Sequence, residues 1–310
     1  MQFDIVIPIT IKDMPTLQKN YLYICNNINF KRMYIIGNNK IKSIYNKFFN
    51  DNIIFLDEDK INPNFNFFII KKLLVDVCGN DRRTGWYFQQ FLKMAFAYIC
   101  DNEYYLVWDA DTIPLRKIEF NDGDKIFYNL KDEYNKPYFS CIEKLLGIKK
   151  INCIKKSFIS EHMMFSKKIM LELINKIEKN SNIKGKYFFE KIMYSIDKKY
   201  ANASGFSEFE TYGCFTYTYY RDTMKFRNLI TLRNAKYLFG DNILDSTLKW
   251  LSKDFDTISI EKFDNISIKS KKYNSLNYQK NHSSLQLVKK YKLYFSIKFF
   301  LIKIIRKLIR

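Results

Sequence analysis

Apolar and polar positions follow two periods along this chain, and the switches between them outline its elements. The run Phe3–Ile9 is apolar and rich in β-branched residues, broken only by Asp4 and closed by Pro8 and Thr10, as in a strand buried on both faces of a parallel sheet. Residues 13–27 read as a helix, RMYIIG at 32–37 as a second strand closed by Gly37-Asn38-Asn39, and NIIFLDED at 52–59 as a third that ends in acids. From Thr84 to Cys100 the period turns helical. Phe88, Phe91, Leu92, Ala95, Phe96 and Ile99 fall within about 140° at about 100° per residue, and Gln89 and Lys93 share one flank of that stripe. EYYLVWDAD at 103–111 follows as a strand. Further along, FISEHMMF at 158–165 reads as a strand, residues near 166–179 and 187–198 as helices, and GFSEFETYG at 205–213 opens another segment. Strands alternating with helices predict an α/β fold with a parallel sheet and crossover helices.

Within this pattern, YYLVWDADTIPL at 104–115 drives an apolar strand straight into Asp109 and Asp111. In open α/β sheets ligands bind at the carboxyl ends of the strands. Two carboxylates so spaced can hold a hard divalent cation, Mg²⁺ or Mn²⁺, with positions left open for diphosphate oxygens. The same residues also suit a plain turn, because Asp and Thr bond to nearby backbone and Pro114 stops the strand.

At 310 residues and 47% apolar composition the chain is long enough for one large α/β domain or two modest ones, which excludes a disordered protein. Nine glycines and five prolines leave no linker that marks a boundary. Lys and Arg exceed Asp and Glu by 52 to 32, a formal charge of +20 that points to an anionic partner. Much of that excess is local. From Leu285 to Arg310 there are eight basic residues and no acid, and six of the eight fall within about 100° on a helix whose remainder is largely Leu, Ile and Phe. Such a tail is expected to lie on an anionic membrane surface rather than cross it.

Six cysteines without a C-x-x-C pair read as reduced core residues of a cytosolic chain, and the opening FDIVIPIT is too short an apolar run for a signal peptide or a span. Aromatic residues make up 17% and are expected chiefly in the core, with Trp86 and Tyr212 as candidate sugar-stacking platforms.

Four blocks in order, RRTGWYFQQFLKMAF (82–96), YYLVWDADTIPL, FISEHMMF and GFSEFETYG, resemble a bacterial family of glycosyltransferases with the GT-A fold, many of them known only as a domain of unknown function. The resemblance spans residues 1–240. It implies an α/β fold with a mixed, mostly parallel GT-A sheet flanked by helices, a Rossmann-like half that binds a nucleotide diphosphate sugar, UDP-linked by expectation, a D-x-D metal site for Mn²⁺ or Mg²⁺, and sugar transfer to a glycan acceptor. On this reading residues 1–125 bind the donor, 126–284 the acceptor, and 285–310 form the membrane-associating tail.

The resemblance also distributes roles. Asp111 is the better metal ligand, and Asp109 shares the metal or holds the ribose. Pro8, Ile9 and Thr10 border the base. Arg83 suits phosphate or ribose oxygens, and Lys93, beside Gln89, reaches the same diphosphate. Glu161 and His162 interrupt an apolar strand, either as a sugar-facing pair or with His162 as a satisfied core histidine. Glu208 and Glu210 point about 200° apart on a helix; Glu208 is taken as the base for the acceptor hydroxyl and Glu210 as its orienter, with the reverse open. His282 either completes the metal site or sits in an exposed loop.

The leading expectation is thus a metal-dependent glycosyltransferase, inverting by preference. It would act at the cytoplasmic face of the membrane on a lipid-linked or lipopolysaccharide-type glycan and would take no nucleic acid. A basic nucleic-acid-binding protein and a non-catalytic scaffold of the same fold are the alternatives.

Overall fold

A computed structural model describes residues 1–150, 154–261, 265–291 and 293. Among the described residues there are eleven strands: β1 (Asp4–Pro8), β2 (Met33–Gly37), β3 (Ile53–Asp57), β4 (Tyr104–Trp108), β5 (Thr112–Pro114), β6 (Asn121–Asp122), β7 (Lys125–Asn129), β8 (His162–Ser166), β9 (Met224–Arg227), β10 (Thr231–Leu232) and β11 (Thr257–Ser259). Five of them form a sheet in the order β3-β2-β1-β4-β8. The pairs among β3, β2, β1 and β4 are parallel, whereas β8 runs antiparallel to β4, with Trp108 opposite His162. The expected mixed, mostly parallel α/β sheet flanked by helices is what the chain forms.

The buried faces of this sheet explain its composition. Ile5, Val6, Ile7, Ile35, Ile36, Leu106, Val107 and Trp108 are fully buried, so the central strands carry apolar side chains on both faces. Gly37 closes β2 because a side chain there would collide with the Ile9 carbonyl at 2.8 Å and with Ile41. That close approach packs the ends of β1 and β2 together.

The chain divides into two compact units. One comprises Met1–Cys25, Asn29–Ala110 and Glu119–Asn228, and the other Asn26–Ile28, Asp111–Ile118 and the chain from Leu229 onward. The first holds the five-stranded sheet and a small sheet ordered β6-β7-β9. The second is built on a three-stranded sheet ordered β10-β11-β5, in which Thr112 and Ser259 share a buried hydroxyl bond of 2.8 Å. In this second unit Asp254 starts a helix over residues 284–291, accepting from Ser283 Oγ at 3.2 Å and from Leu285 N at 3.0 Å. Leu287 and Val288 are buried there while Lys289 and Lys290 stay exposed. The rest of the basic tail, 292 and 294–310, lies outside the described residues. Among the described residues no helix is long and apolar enough to cross a membrane.

One boundary differs from the sequence pattern. The apolar run from Phe158 becomes a strand only at His162, because the Glu210 carboxylate accepts from Ser157 Oγ and from Phe158 N and so fixes that backbone away from the sheet. Five cysteines (25, 78, 100, 141 and 214) are free thiols and three of them are buried; Cys153 lies outside the described residues.

The helix Glu208–Tyr219 lies directly on the Phe158 ring at Gly213, where an added Cβ would come within 2.2 Å of Phe158 Cγ. Gly213→Ala is expected to lower stability by about 1–3 kcal/mol, since the ring and the helix must part. Urea unfolding measures this, and an unchanged midpoint would contradict the packing.

Candidate active site

One helix organises the chemistry of the first unit. Thr84–Ala95 buries Phe88, Phe91 and Leu92 against the core and carries Gln89 and Lys93 one turn apart on a neighbouring flank, with Gln90 beside Lys93. Each of the three has its own task. Gln89 Nε2 donates to the Pro8 carbonyl at 3.4 Å, tying the helix to the end of β1. Gln90 Oε1 accepts from Glu208 N at 3.1 Å and thereby fixes the start of the helix Glu208–Tyr219. Lys93, 5% exposed, places its ammonium 3.0 Å from Asp109 Oδ1 and 2.9 Å from Glu208 Oε1.

Burial pulls the Lys93 pKa down, but the two carboxylates outweigh it and hold the ammonium charged well above the usual lysine range. The sequence places Lys93 on the diphosphate; the structure shows it clamped between two acids, with the Phe209 ring 4.6 Å away. Asp109 stands just beyond the carboxyl end of β4 and is partly accessible, its side chain 31% exposed.

A pocket of about 350 Å³ opens at the carboxyl ends of β1, β2 and β3. Pro8, Ile9 and Thr10 line it from β1, Asn38 from β2 and Glu58 from β3, while Gly85, Phe88 and Gln89 face them from the helix. The walls are largely apolar with a few polar groups at the strand ends, the composition of a small-molecule site. Asn39 Nδ2 bridges to Asp57 at 2.6 Å and holds two of these ends together. Burial, and then the neighbouring Asp59 and Asp57, push the Glu58 pKa up to about 7.

The remaining sequence candidates have these surroundings. Arg83 donates Nε to the Ala203 carbonyl at 2.8 Å and lies over the Trp86 ring at 4.4 Å; it does not line the pocket. Glu161, 5% exposed, takes the Lys131 ammonium bidentately at 2.5 and 2.7 Å. His162 stacks on Trp108 with centroids 4.6 Å apart, and its Nε2 lies 2.8 Å from Asn129 Nδ2. Arg227 Nε occupies the Asn129 carbonyl oxygen, so the amide donates to the imidazole and leaves the ring proton on Nδ1, which is buried without a partner. Burial, then Arg227 and Lys131, hold the His162 pKa well below 6.5. Glu210 is turned away from Glu208 toward Ser157, and burial raises its pKa. Tyr212 is fully buried and accepts from Ser166 N at 2.8 Å.

In the second unit, Asp111 passes its carbonyl to Ile260 N at 2.9 Å, and exposed His282 stacks on Tyr278 while its Nδ1 meets the Tyr278 carbonyl at 2.9 Å. Among the described residues there is no group of three or more His, Cys, Asp and Glu side chains able to hold a metal ion. Asp109 fits a cation in a narrower sense. One carboxylate oxygen is committed to Lys93, and a magnesium-like ion needs only one or two carboxylates if phosphate oxygens complete its shell.

The sequence pattern missed Gln90, Lys131, Asn38 and Glu58. Gln90 and Lys93 stand three apart on the helix, a spacing that places them near a common neighbour. Nothing in the run around Lys131 marks it as the partner of Glu161.

No curated protein sequence matches the chain significantly. Among solved structures, mouse xyloside xylosyltransferase 1 in its apo form is 10% identical, covering 86% of this chain and 100% of that one with a TM-score of 0.44. An active-site mutant of LgtC is 12% identical over 87% and 94%, with a TM-score of 0.43. The galactosyltransferase LgtC in complex with donor and acceptor sugar analogues is 10% identical over 91% and 97%, with a TM-score of 0.42. A model of a family of unknown function, DUF6492, matches residues 2–267.

Replacing Lys93 by Met leaves two buried-edge carboxylates facing each other, and is expected to cost about 3–5 kcal/mol of stability by denaturant unfolding. A loss below 1 kcal/mol would contradict the clamp. His162 gives a pH signature. It stays neutral in the fold and gains a proton in the unfolded chain below its ordinary value of 6.5, so its contribution is complete above that pH and is lost as pH falls. Between pH 6.5 and 5, His162→Phe is expected to flatten the stability slope by up to about 1.4 kcal/mol per pH unit; identical slopes would contradict a buried neutral ring.

Proposed function

We propose that the chain, which belongs to the DUF6492 family of unknown function, is a glycosyltransferase of the GT-A type that moves a sugar from a nucleoside diphosphate donor to a glycan acceptor. The observation that carries the reading is the continuity between pocket and acid. Gln89, which lines the pocket and bonds the end of β1, stands one helical turn from Lys93, which holds Asp109 at the end of β4. A planar base fits between the apolar walls, and Thr10, Asn38 and Gln89 can address its polar edge.

Asp109 and, on the strength of the D-x-D spacing alone, Asp111 would hold Mn²⁺ or Mg²⁺ together with the diphosphate. The ion would supply positive charge against the leaving diphosphate. Lys93 fixes Asp109 in one rotamer and orients Glu208 on the same ammonium. Of the two glutamates, Glu208 is the better proton acceptor for the acceptor hydroxyl, because Glu210 is spent on Ser157 and Phe158. A base of this kind serves an inverting transfer. A surface polysaccharide or lipopolysaccharide acceptor agrees with the basic tail.

The test is nucleoside diphosphate release from a panel of donor sugars with and without Mn²⁺. Wild-type turnover should depend on the ion, and Glu208→Gln should reduce it roughly 10²–10⁴-fold while nucleotide binding persists. Absence of both turnover and nucleotide-induced thermal stabilisation would remove the reading. The pocket adds a pH dependence. Glu58 ionises near pH 7 and its charge then opposes an anionic ligand, so nucleotide affinity should fall as pH rises through 7. Glu58→Gln should abolish that dependence, and an unchanged profile in the variant would exclude Glu58 as its source.

A further inference from the structure

A second cavity, of about 440 Å³, lies within the first unit and shares no lining residue with the pocket at the strand ends. Buried Ile61, Phe188 and Phe189 contribute apolar lining, and the volume falls in the range of about 300–1,000 Å³ usual for small-molecule sites. Two polar groups that line it keep free hydrogen-bonding capacity. Asn62 is only 7% exposed, and its Oδ1 accepts from Asn64 N at 2.8 Å. That bond fixes which way the amide faces and leaves the Nδ2 protons without a partner among the described residues. A buried amide in this state is costly unless something in the cavity accepts from it. Glu178 gives Oε1 to Phe188 N at 3.0 Å, at the start of the helix Phe188–Ser195, and no cation pairs with it among the described residues.

The two tyrosines that line the cavity differ in what their rings touch. Tyr98 is 43% exposed and its ring meets no other ring among the described residues. Tyr187 instead stacks on Phe189 with centroids 5.6 Å apart and carries the Lys186 ammonium 5.1 Å from its centre. Partial burial, then the charge of Glu178, push the Tyr98 pKa up to about 12, so the phenol stays protonated within electrostatic reach of that carboxylate. Lys60 also lines the cavity, but its side chain is 81% exposed and pairs with Asp57 at 3.9 Å.

We infer that this cavity is a saccharide-binding site, in which a pyranose lays its C–H face on the Tyr98 ring, donates one hydroxyl to the open oxygen of Glu178 and accepts from Asn62 Nδ2 with another. Competing ligand classes each fail on one of these groups. A phosphate or nucleotide would meet the Glu178 carboxylate with only exposed Lys60 to offset it. An ammonium offers nothing that accepts the Asn62 protons, and an apolar ligand would leave both Asn62 and Glu178 desolvated without partners. A peptide bond can donate and accept, but it has no C–H face to set against the ring. A sugar carries donors, acceptors and an apolar face on one small ring and satisfies all three groups. The site stands independently of the chemistry proposed for the strand-end pocket; alongside that chemistry it gives the protein a second hold on a glycan.

The test titrates the full chain with the methyl glycosides of glucose, galactose, mannose and N-acetylglucosamine, followed by saturation-transfer difference NMR, with N-acetylglycine N-methylamide as a peptide-bond probe. At least one glycoside should bind, with saturation strongest at ring C–H protons. Tyr98→Ala should weaken that binding roughly fivefold or more by removing the stacking face. Glu178→Gln should weaken it roughly tenfold or more, because the Gln carbonyl keeps the bond from Phe188 N but sets a donor where the carboxylate accepts. Thermal unfolding of both variants should match wild type. Because the acceptor site proposed around Glu208 also takes sugar, Glu208→Gln is titrated in parallel and should leave this binding in place. Nucleoside diphosphate should stabilise the Tyr98 and Glu178 variants as it does wild type, so that failure of this site and failure of the strand-end pocket read out separately. Absence of binding by all four glycosides, unchanged affinity in Tyr98→Ala and Glu178→Gln, loss in Glu208→Gln alone, or preference for the amide probe would each overturn the inference.

Discussion

A buried ammonium that two acids share is the constraint on which the rest of this molecule turns. Lys93 cannot enter the interior as an isolated charge, because desolvating it costs several kcal/mol. It is stable there because Asp109 arrives from the end of β4 and Glu208 from the start of a separate helix, each within 3.0 Å. The contact therefore locks three distant segments of the sequence into one geometry. Gln90 secures the same junction through the Glu208 amide, and Gln89 extends it to the end of β1.

For the proposed glycosyl transfer, that arrangement has both a cost and a use. Asp109 gives one carboxylate oxygen to a lysine, which leaves less of it for a cation than a bare D-x-D reading assumes. In return, the carboxylate is fixed before any ligand arrives, and Glu208 is held beside it rather than left to sample rotamers. Pre-set geometry of this kind is what group transfer requires, since the loss of orientational freedom is already met by the fold. Glu161 with Lys131 repeats the principle one strand over, a buried charge neutralised internally.

Much of the fold was legible because its strands are buried on both faces and its helices carry a sustained 3.6 period. The strands at 4–8, 33–37, 53–57 and 104–108 are evident as apolar runs closed by Pro, Gly or Asp. The short strands β5, β6, β10 and β11 were not, since two or three residues carry no period. The antiparallel direction of β8 also leaves no trace in its own residues. Pro8, Ile9 and Thr10, which the resemblance puts beside the base, and Gln89, on the helix flank, all line the pocket at the ends of β1–β3. Long-range ion pairs were beyond reach: helix spacing puts Lys93 on the right flank but does not say which carboxylates meet it.

The claim that the pocket at the ends of β1–β3 receives the nucleoside of a donor sugar is tested most directly by photolabelling with an azido-substituted nucleoside diphosphate and mapping the modified peptide. The account predicts label on residues 8–11 or 85–92, suppressed by excess unmodified nucleotide. Label concentrated instead at the separate cavity lined by Tyr98 and Tyr187, with residues 8–11 and 85–92 untouched, would contradict it.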